Sequence, residues 1–386
     1  MSLRRTGIAD LRLHPGAAPP WLVSRMEKLA EKIFVLIRDE YGEDEILIRL
    51  SGPLFFQACS NALGYDWDSS GATTVTCGVL KRVFDSTDLG LRAAGGKGKR
   101  SKLASSEIQG IGQEFEFSQS EVSKIAYASR MTAKVDSAAI QAGYQIYHHM
   151  IFVSSRGQWA VIQQGMRPAE RLARRYHWLS TDVKSFVDKP HKGIVGEQIH
   201  SCVLDMTAEE SESCRGLCTD LVREGPERVE RLFHSIRSPD QEALTRWMES
   251  NAHLEYVTHY EVIPQRMDWD ALKDAYETRP TRYEELLAIR GVGPATVRGL
   301  ALISEVVFGA APSWRDPVRF SFAYGGKDGV PFPVDRKAMD ESIDVLANVI
   351  ESAKVGDLEK LRALRRLRQF AARIPRSQRL REKPVI

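Results

Sequence analysis

The stretch YEELLAIRGVGPATVRGLALISEVVFG, residues 283–309, places two glycines and a proline inside an apolar pattern of helical period. Glycine adopts backbone conformations that are closed to other residues, so Gly291 and Gly293 permit a tight turn between two helices. Beyond the turn the apolar residues return at helical spacing, on one face of a second helix that we expect to begin at Thr296. The stretch therefore predicts two helices joined by a glycine turn.

The beginning of the second helix is a predicted anion site. The first N–H groups of a helix have no partner within the helix, and the helix dipole adds a positive potential there. A DNA phosphate fits such a site without any base being read. The alternative is an ordinary pair of helices whose glycine turn binds nothing. The residues that we expect to contact DNA here are Gly291, Val292, Gly293, Thr296 and Arg298.

The spacing Leu-x-x-Ile-x-Gly-x-Gly-x-x-Thr, from Leu286 to Thr296, resembles the helix-hairpin-helix motif of DNA-binding and DNA-repair proteins. In base-excision glycosylases of that class a catalytic aspartate follows the second helix, and the resemblance implies this role for Asp316. Lys327 is a conceivable lyase residue or DNA contact. Because Pro317 follows Asp316, this aspartate could equally be the N-cap of a helix.

The N-terminal half mixes helical and strand patterns. Residues 118–143, SQSEVSKIAYASRMTAKVDSAAIQAG, predict a long helix. Residues 144–166, YQIYHHMIFVSSRGQWAVIQQGM, predict a β-hairpin that turns at Ser155-Arg156-Gly157. Residues 167–180, RPAERLARRYHWLS, predict another helix, and residues 93–102, AAGGKGKRSK, a loop. Because side chains alternate along a strand, His148 and His149 are expected on opposite faces of the hairpin.

Polar side chains are concentrated around this hairpin, where we place the candidate catalytic centre. A helix, an antiparallel hairpin and a basic helix follow one another in many metal-dependent nucleases, whose carboxylates hold a divalent ion against a phosphate. Gln163 and Gln164 stand where strand acids would be expected, so a mixed Asp/His shell for Mg²⁺ or Mn²⁺ is favoured. The candidate metal ligands are Asp66, Asp68, Asp136 and His149. The candidate catalytic residues are Asp136, Lys134, His148, Gln164, Arg175, His177 and Asp316.

Two basic segments add candidate DNA contacts. Lys97 and Lys99, in GGKGKRSK, could bind phosphates, although the segment lacks the spacing of a nucleotide-binding P-loop. Arginines crowd residues 360–383 against a formal net charge of only +3 for the whole chain. The leucines of LRALRRLRQF fall near one face, so this tail could dock on its own domain, pair with a second subunit in a homo-oligomer, or lie along DNA.

Other classes of protein fit the sequence poorly. No uncharged apolar run reaches roughly 18 residues, so we expect no transmembrane helix and no membrane partner. The N-terminus lacks the apolar core of a signal peptide, which favours a cytoplasmic location. The five cysteines are scattered and odd in number, and we expect neither disulfides nor a zinc site from them.

Several segments between about Arg49 and Arg336 together resemble one uncharacterised family of mainly archaeal and some bacterial proteins. The segments that carry the resemblance are RLSGPLFFQA, LGYDWDSSGATT, GGKGK, AKVDSAAIQAGYQIYHH, WAVIQQGM, ARRYHW, RGVGPATVRGLAL and RDPVRFSFAYGGKDGVPFPVDR. The resemblance implies membership of this family, a domain of unknown function, and supplies no reaction.

These observations predict an α+β protein in three parts. Residues 1–205 form an N-terminal α+β domain that is the candidate catalytic part, residues 206–345 a helical domain with the helix-hairpin-helix, and residues 346–386 a basic helical tail. The function that we expect is DNA repair or processing by a metal-dependent nuclease. The alternatives are a base-excision glycosylase or lyase that uses Asp316, and a DNA-structure-binding protein without catalysis.

Overall fold

An antiparallel sheet of five strands, in the order β1-β3-β4-β5-β6, forms the centre of the fold. We describe the protein from a computed structural model, which covers residues 20–64, 71–196, 198–237, 263–318, 336–352 and 356–373. A short second ladder pairs β2 with β7. The strands are β1 (Leu91–Lys97), β2 (Ile140–Gln141), β3 (Gln145–Ser154), β4 (Trp159–Arg167), β5 (Leu172–Leu179), β6 (Gly193–Gly196) and β7 (Leu204–Asp205). The predicted α+β class is therefore confirmed.

Helices cover both faces of the sheet. The helices before and within the sheet are α1 (Pro20–Tyr41), α2 (Glu43–Ser51), α3 (Pro53–Leu63), α4 (Gly71–Ser86), α5 (Ala104–Glu114) and α6 (Gln119–Lys134). After the sheet come α7 (Glu212–Arg223), α8 (Pro226–Arg237), α9 (Trp269–Thr278), α10 (Tyr283–Ala288), α11 (Pro294–Phe308), α12 (Arg336–Ser352) and α13 (Asp357–Arg373). The part of the chain after Asp205 is thus mainly helical, as predicted.

Two apolar cores lie on the two faces of the sheet. The first joins α5, α6 and one sheet face to the later helices, so that Ile125, Val161 and Leu300 belong to one cluster. The second joins the other sheet face to α1–α4 and to α12 and α13. Both cores therefore combine residues that precede position 205 with residues that follow it. The boundary between two domains at residue 205 stays a prediction.

The hairpin of β3 and β4 is confirmed, with His149 opposite Gln163 and His148 opposite Gln164. The prediction of a helix over residues 167–180 was wrong, because most of this segment is β5, which pairs with β4. Ala173, Arg174 and Arg175 are good helix formers, but their side chains are buried in the sheet, and tertiary packing outweighs local propensity. The predicted long helix also ends early, at Lys134, and continues as a π-turn into β2.

The loop predicted at residues 93–102 is instead the end of β1 followed by a 3₁₀ turn. Gly95 has φ +103°, and a Cβ atom there would lie 2.2 Å from the carbonyl oxygen of His149. Only a residue without a side chain lets β1 approach β3 this closely. Gly95, which looked like a loop residue, is therefore required by strand pairing beside the candidate site.

The glycine turn lies between α10 and α11 as predicted, but its two glycines differ. Gly291 has φ +88°, which favours glycine, whereas Gly293 has φ −101° and is the extended N-cap of α11. The interpretation that both glycines are required by geometry was therefore wrong for Gly293. The second helix also begins at Pro294 rather than at Thr296, because proline is well suited to the first position of a helix.

This difference gives a matched pair of substitutions. We expect Gly291→Ala to lower the free energy of unfolding by roughly 1–3 kcal/mol, because alanine is strained at this φ. Its Cβ atom would also lie 2.7 Å from the Cβ of Ala271. Gly293→Ala should have a much smaller effect, since the nearest atom to the added methyl group would be the carbonyl oxygen of Gly291, 3.7 Å away. Urea denaturation of both variants measures the difference, and equal losses would contradict this account of the turn.

The described part of the C-terminal tail docks on its own chain. Helix α13 packs on α3 and α12 and buries Ala363 and Leu367 in the second core. Arg362, Arg365 and Arg368 remain exposed. Of the three arrangements considered for the tail, the structure shows docking on its own domain, while DNA contact and a homo-oligomer stay predictions. No helix in the described ranges is long and apolar enough to span a membrane, and all five cysteines are free thiols.

Candidate functional site

A groove of about 560 Å³ lies between the start of α11, the second half of α6 and the 3₁₀ turn after β1. Three cationic side chains, Lys102, Arg130 and Lys134, line it, and its lining within the described residues contains no carboxylate. Lys102 and Arg130 are exposed. Lys134 is half-buried, and burial lowers the pKa of its ammonium group. The groove therefore has a positive potential that favours an anion.

The N-terminus of α11 opens on this groove through Pro294. Its N-cap, Gly293, provides no side-chain cap, and the first turn contains no acidic residue. Two hydrogen bonds hold the turn in place: Lys134 Nζ donates to the carbonyl of Ile289 at 3.2 Å, and Gln141 Nε2 donates to the carbonyl of Pro294 at 2.8 Å. The positive end of the helix dipole is thereby fixed beside the three cations.

The other residues predicted to bind DNA at this turn have structural contacts. Val292 is fully buried, and Thr296 is 1% exposed. The Thr296 hydroxyl accepts the backbone N–H of Asp268 at 3.2 Å. Arg298 donates to Gln141 Oε1 at 2.9 Å and lies over the ring of Trp314. These three side chains therefore hold the turn, and the backbone at Gly291 and Gly293 is the part open to solvent.

A chain of buried hydrogen bonds begins at the floor of the groove. Ser129 Oγ and His149 Nε2 are 2.8 Å apart, and His149 Nδ1 lies 2.8 Å from Gln163 Oε1. Gln163 Nε2 donates to the carbonyl of Thr132 at 2.9 Å and to the carboxylate of Asp136. Burial lowers the pKa of His149 below its ordinary value, so this imidazole is neutral at pH 7.

The same chain ends at a second, smaller pocket. The carboxylate of Asp136, fully buried, also accepts Trp178 Nε1–H at 3.0 Å and His191 Nε2–H. His191 lines a cavity of about 190 Å³ together with Lys189, Asp205 and Asp316. Burial raises the pKa of Asp205, whose carboxylate accepts the N–H and hydroxyl of Thr207. Asp136 thus connects the sheet interior to a histidine that lines this cavity.

Asp316 is held in a buried ion pair. Its Oδ2 atom accepts Arg174 Nη2–H at 2.7 Å and the backbone N–H of His200 at 2.8 Å, and its Oδ1 atom accepts the N–H of Val318 at 3.1 Å. The side chains of Arg174 and Asp316 are both 0% exposed. The carboxylate of Asp316 accepts three hydrogen bonds from groups of the protein, which is typical of a structural ion pair. These contacts do not favour the catalytic role considered for Asp316.

Four of the predicted catalytic residues lie together on the opposite face of the sheet. His148, Gln164, Arg175 and His177 face α3 and α4, where Arg175 donates to Gln57 Oε1, Thr73 Oγ1 and His177 Nε2. Burial lowers the pKa of His148 to about 3 and that of Arg175 to about 9. Neither nitrogen of His148 has a hydrogen-bond partner among the described residues. The predicted catalytic set is therefore divided between two sheet faces.

Of the four predicted metal ligands, Asp136 and His149 are among the described residues. Asp66 and Asp68 lie outside the described residues, as does Lys327. Both nitrogens of His149 and the carboxylate of Asp136 are engaged by protein groups. Within the described ranges no three His, Cys, Asp or Glu side chains come together as a metal site. A divalent ion stays a prediction that depends on Asp66 and Asp68. Lys97, at the end of β1, and Lys99, in the 3₁₀ turn, are both exposed.

Sequence reasoning missed Ser129, His191, Lys102 and Arg130. A signal existed for Ser129, because it stands seven residues before Asp136, about two turns of one helix face. The turn at residues 155–157 also fixes the register that puts His149 opposite Gln163. Nothing in the sequence indicated that His191, in a loop, would reach Asp136.

The fold and site define an α+β protein with a central antiparallel sheet, a cationic groove and a buried histidine–carboxylate network. Residues 7–334 match the family described as 'Protein of unknown function (DUF763)', and the chain belongs to that family. No curated protein matches the chain significantly. No solved structure matches it either.

Proposed function

We propose that this protein binds DNA along the cationic groove and cleaves the phosphodiester backbone there. The observation that carries the proposal is the groove itself, in which Lys102, Arg130 and Lys134 stand near a helix N-terminus without a side-chain cap, and the described part of the lining holds no acid. Lysine, arginine and helix N-termini are the groups that bind phosphate oxygens without reading bases. The exposed Lys97 and Lys99 precede Lys102 in the same basic segment of the chain.

Cleavage is the reaction that the floor of the groove supports. A neutral imidazole that contacts a hydroxyl is suited to general-base chemistry on a phosphodiester. The three cations would stabilise the negative charge that develops on the phosphorus oxygens. A bound divalent ion would stabilise the same developing charge, and the chelator arm of the experiment below tests for one.

The binding proposal is tested by removing charge from the groove. We expect Lys102→Ala/Arg130→Ala to weaken binding of a short fluorescent DNA duplex, and to reduce the slope of log affinity against log salt by about 2. The matched control is Lys28→Ala/Arg231→Ala, which removes the same charge from exposed positions on α1 and α8. Equal binding by both double variants in a salt titration would count against the groove as the DNA site.

The reaction is tested with labelled intact, branched and damaged DNA, in Mg²⁺ or Mn²⁺ and in chelator. Strand breaks support a nuclease, and their loss in chelator supports the divalent ion. Abasic sites without strand breaks would instead favour base excision. Salt-dependent binding with intact products under all conditions would leave a non-catalytic DNA-binding protein.

A further inference from the structure

Ser129 is the hydroxyl at the floor of the cationic groove. It stands on α6 one residue before Arg130, and both residues line the groove together with His149. Ser129 and His149 are each 4% exposed, so most of each side chain is enclosed, yet both residues belong to the groove lining. The sequence pattern alone indicated no nucleophile in this part of the site.

The hydrogen-bond partners of Gln163 determine where the protons of His149 are. Gln163 Nε2 faces two acceptors, the Thr132 carbonyl and the Asp136 carboxylate, so the amide can only be oriented with its oxygen toward His149. The amide oxygen accepts, and His149 Nδ1 must therefore carry a proton. In the neutral ring Nε2 is then unprotonated, and it accepts the hydroxyl proton of Ser129.

We propose that Ser129 is a catalytic nucleophile and His149 its general base, with Gln163 and Asp136 as positioning residues. The arrangement has the geometry of a serine–histidine pair whose second ring nitrogen is oriented by a third side chain. Here the third side chain is an amide, and the buried carboxylate of Asp136 fixes that amide. The substrate class is a phosphodiester, which rests on the proposed function of the groove.

The reaction conserves atoms and charge in two steps. Ser129 Oγ attacks phosphorus and its proton passes to His149 Nε2; the bond from phosphorus to one deoxyribose oxygen breaks, and that oxygen takes the proton from His149. The DNA is then joined to Ser129 as a phosphodiester. Water, deprotonated by His149, attacks the same phosphorus, and the bond to Oγ breaks as Oγ regains a proton. Lys102, Arg130 and Lys134 stabilise the charge on the phosphorus oxygens.

The pairing is tested with diisopropyl fluorophosphate, which phosphorylates activated serines with loss of fluoride and needs no knowledge of the DNA substrate. We expect the intact protein to be labelled at Ser129, as read by mass spectrometry of its peptides. Ser129→Ala should abolish this label, and His149→Gln should slow it by about 10²-fold or more. Ser105→Ala, which removes an exposed hydroxyl from the same groove, is the matched control and should react like the wild type.

DNA separates this inference from the proposed function. Protection of Ser129 from the reagent by a short duplex, together with a covalent DNA adduct that Ser129→Ala loses, would support both. Labelling of Ser129 without protection by DNA would support the activated serine and overturn its DNA substrate. DNA binding with no label at Ser129, or with an unchanged rate in a folded His149→Gln variant, would overturn the nucleophile and leave the binding proposal standing.

Discussion

Replacement of Asp316 by alanine should lower the free energy of unfolding by about 3–5 kcal/mol, because it leaves a buried guanidinium without its carboxylate. The side chains of Arg174 and Asp316 are fully buried and 2.7 Å apart. Neither Nε nor Nη1 of Arg174 has another hydrogen-bond partner among the described residues. Chemical denaturation in urea, compared with the wild type, measures the loss.

Two further variants show whether the loss of stability comes from the unpaired, buried guanidinium of Arg174. Arg174→Met/Asp316→Ala removes both charges and should recover much of the stability, since an apolar pair often replaces a buried ion pair at little cost. Asp182→Ala breaks the exposed pair with Lys192 and should cost less than about 1 kcal/mol. A normally stable Asp316→Ala variant that has lost all activity would instead indicate a catalytic aspartate.

Acid should destabilise the protein steeply below about pH 6.5. Burial lowers the pKa values of four histidines: His148, His149, His177 and His200. The unfolded chain takes up these protons near the ordinary histidine pKa, whereas the folded protein takes them up only at lower pH. Stability is therefore present above pH 6.5 and falls as the pH drops, by about 1.4 kcal/mol per pH unit for each histidine. Urea midpoints measured from pH 7.5 to 5 give the slope.

Variants of single histidines identify the source of this slope. His148→Leu should reduce the slope of stability against pH by the contribution of one histidine, because burial lowers the pKa of His148 to about 3. The nitrogens of His148 have no hydrogen-bond partners to lose among the described residues. His234→Ala, at an exposed position, should leave it unchanged. Burial raises the pKa values of Asp205 and Glu305, so these two carboxyl groups favour the folded protein as the pH falls. They make the net slope of stability against pH smaller than the summed contributions of the histidines. A wild-type slope near zero would contradict the buried neutral histidines.

The parts of the fold that could be predicted are those whose signals are local. The aromatic and β-branched residues around Ser155-Arg156-Gly157 specify a hairpin, and the interrupted apolar pattern at Gly291 specifies two helices. Strand β5 could not be recognised, because Arg174 and Arg175 are ordinarily exposed residues. Their burial depends on distant partners such as Asp316 and Gln57.

The sequence indicated several residues of the candidate site, but not how the fold arranges them. Asp136 and His149 belong to one network, as their shared assignment as metal ligands implied, but Gln163 stands between them. The alternation of a strand correctly separates His148 from His149. It also separates the predicted catalytic residues, because His148, Arg175 and His177 fall on the face away from the groove. Ser129 and His191 join the network only through packing between elements.

The second core has a consequence for the biosynthesis of the chain. Helices α1–α4 leave the ribosome first, yet Leu346, Ile350 and Leu367 of α12 and α13 complete their apolar packing. Until residues 336–373 have been translated, the earlier helices must keep that apolar surface uncovered. The packing of α1–α4 therefore cannot be completed until α12 and α13 have been translated. Both of these helices come after the residues of the groove and of the β3–β4 hairpin.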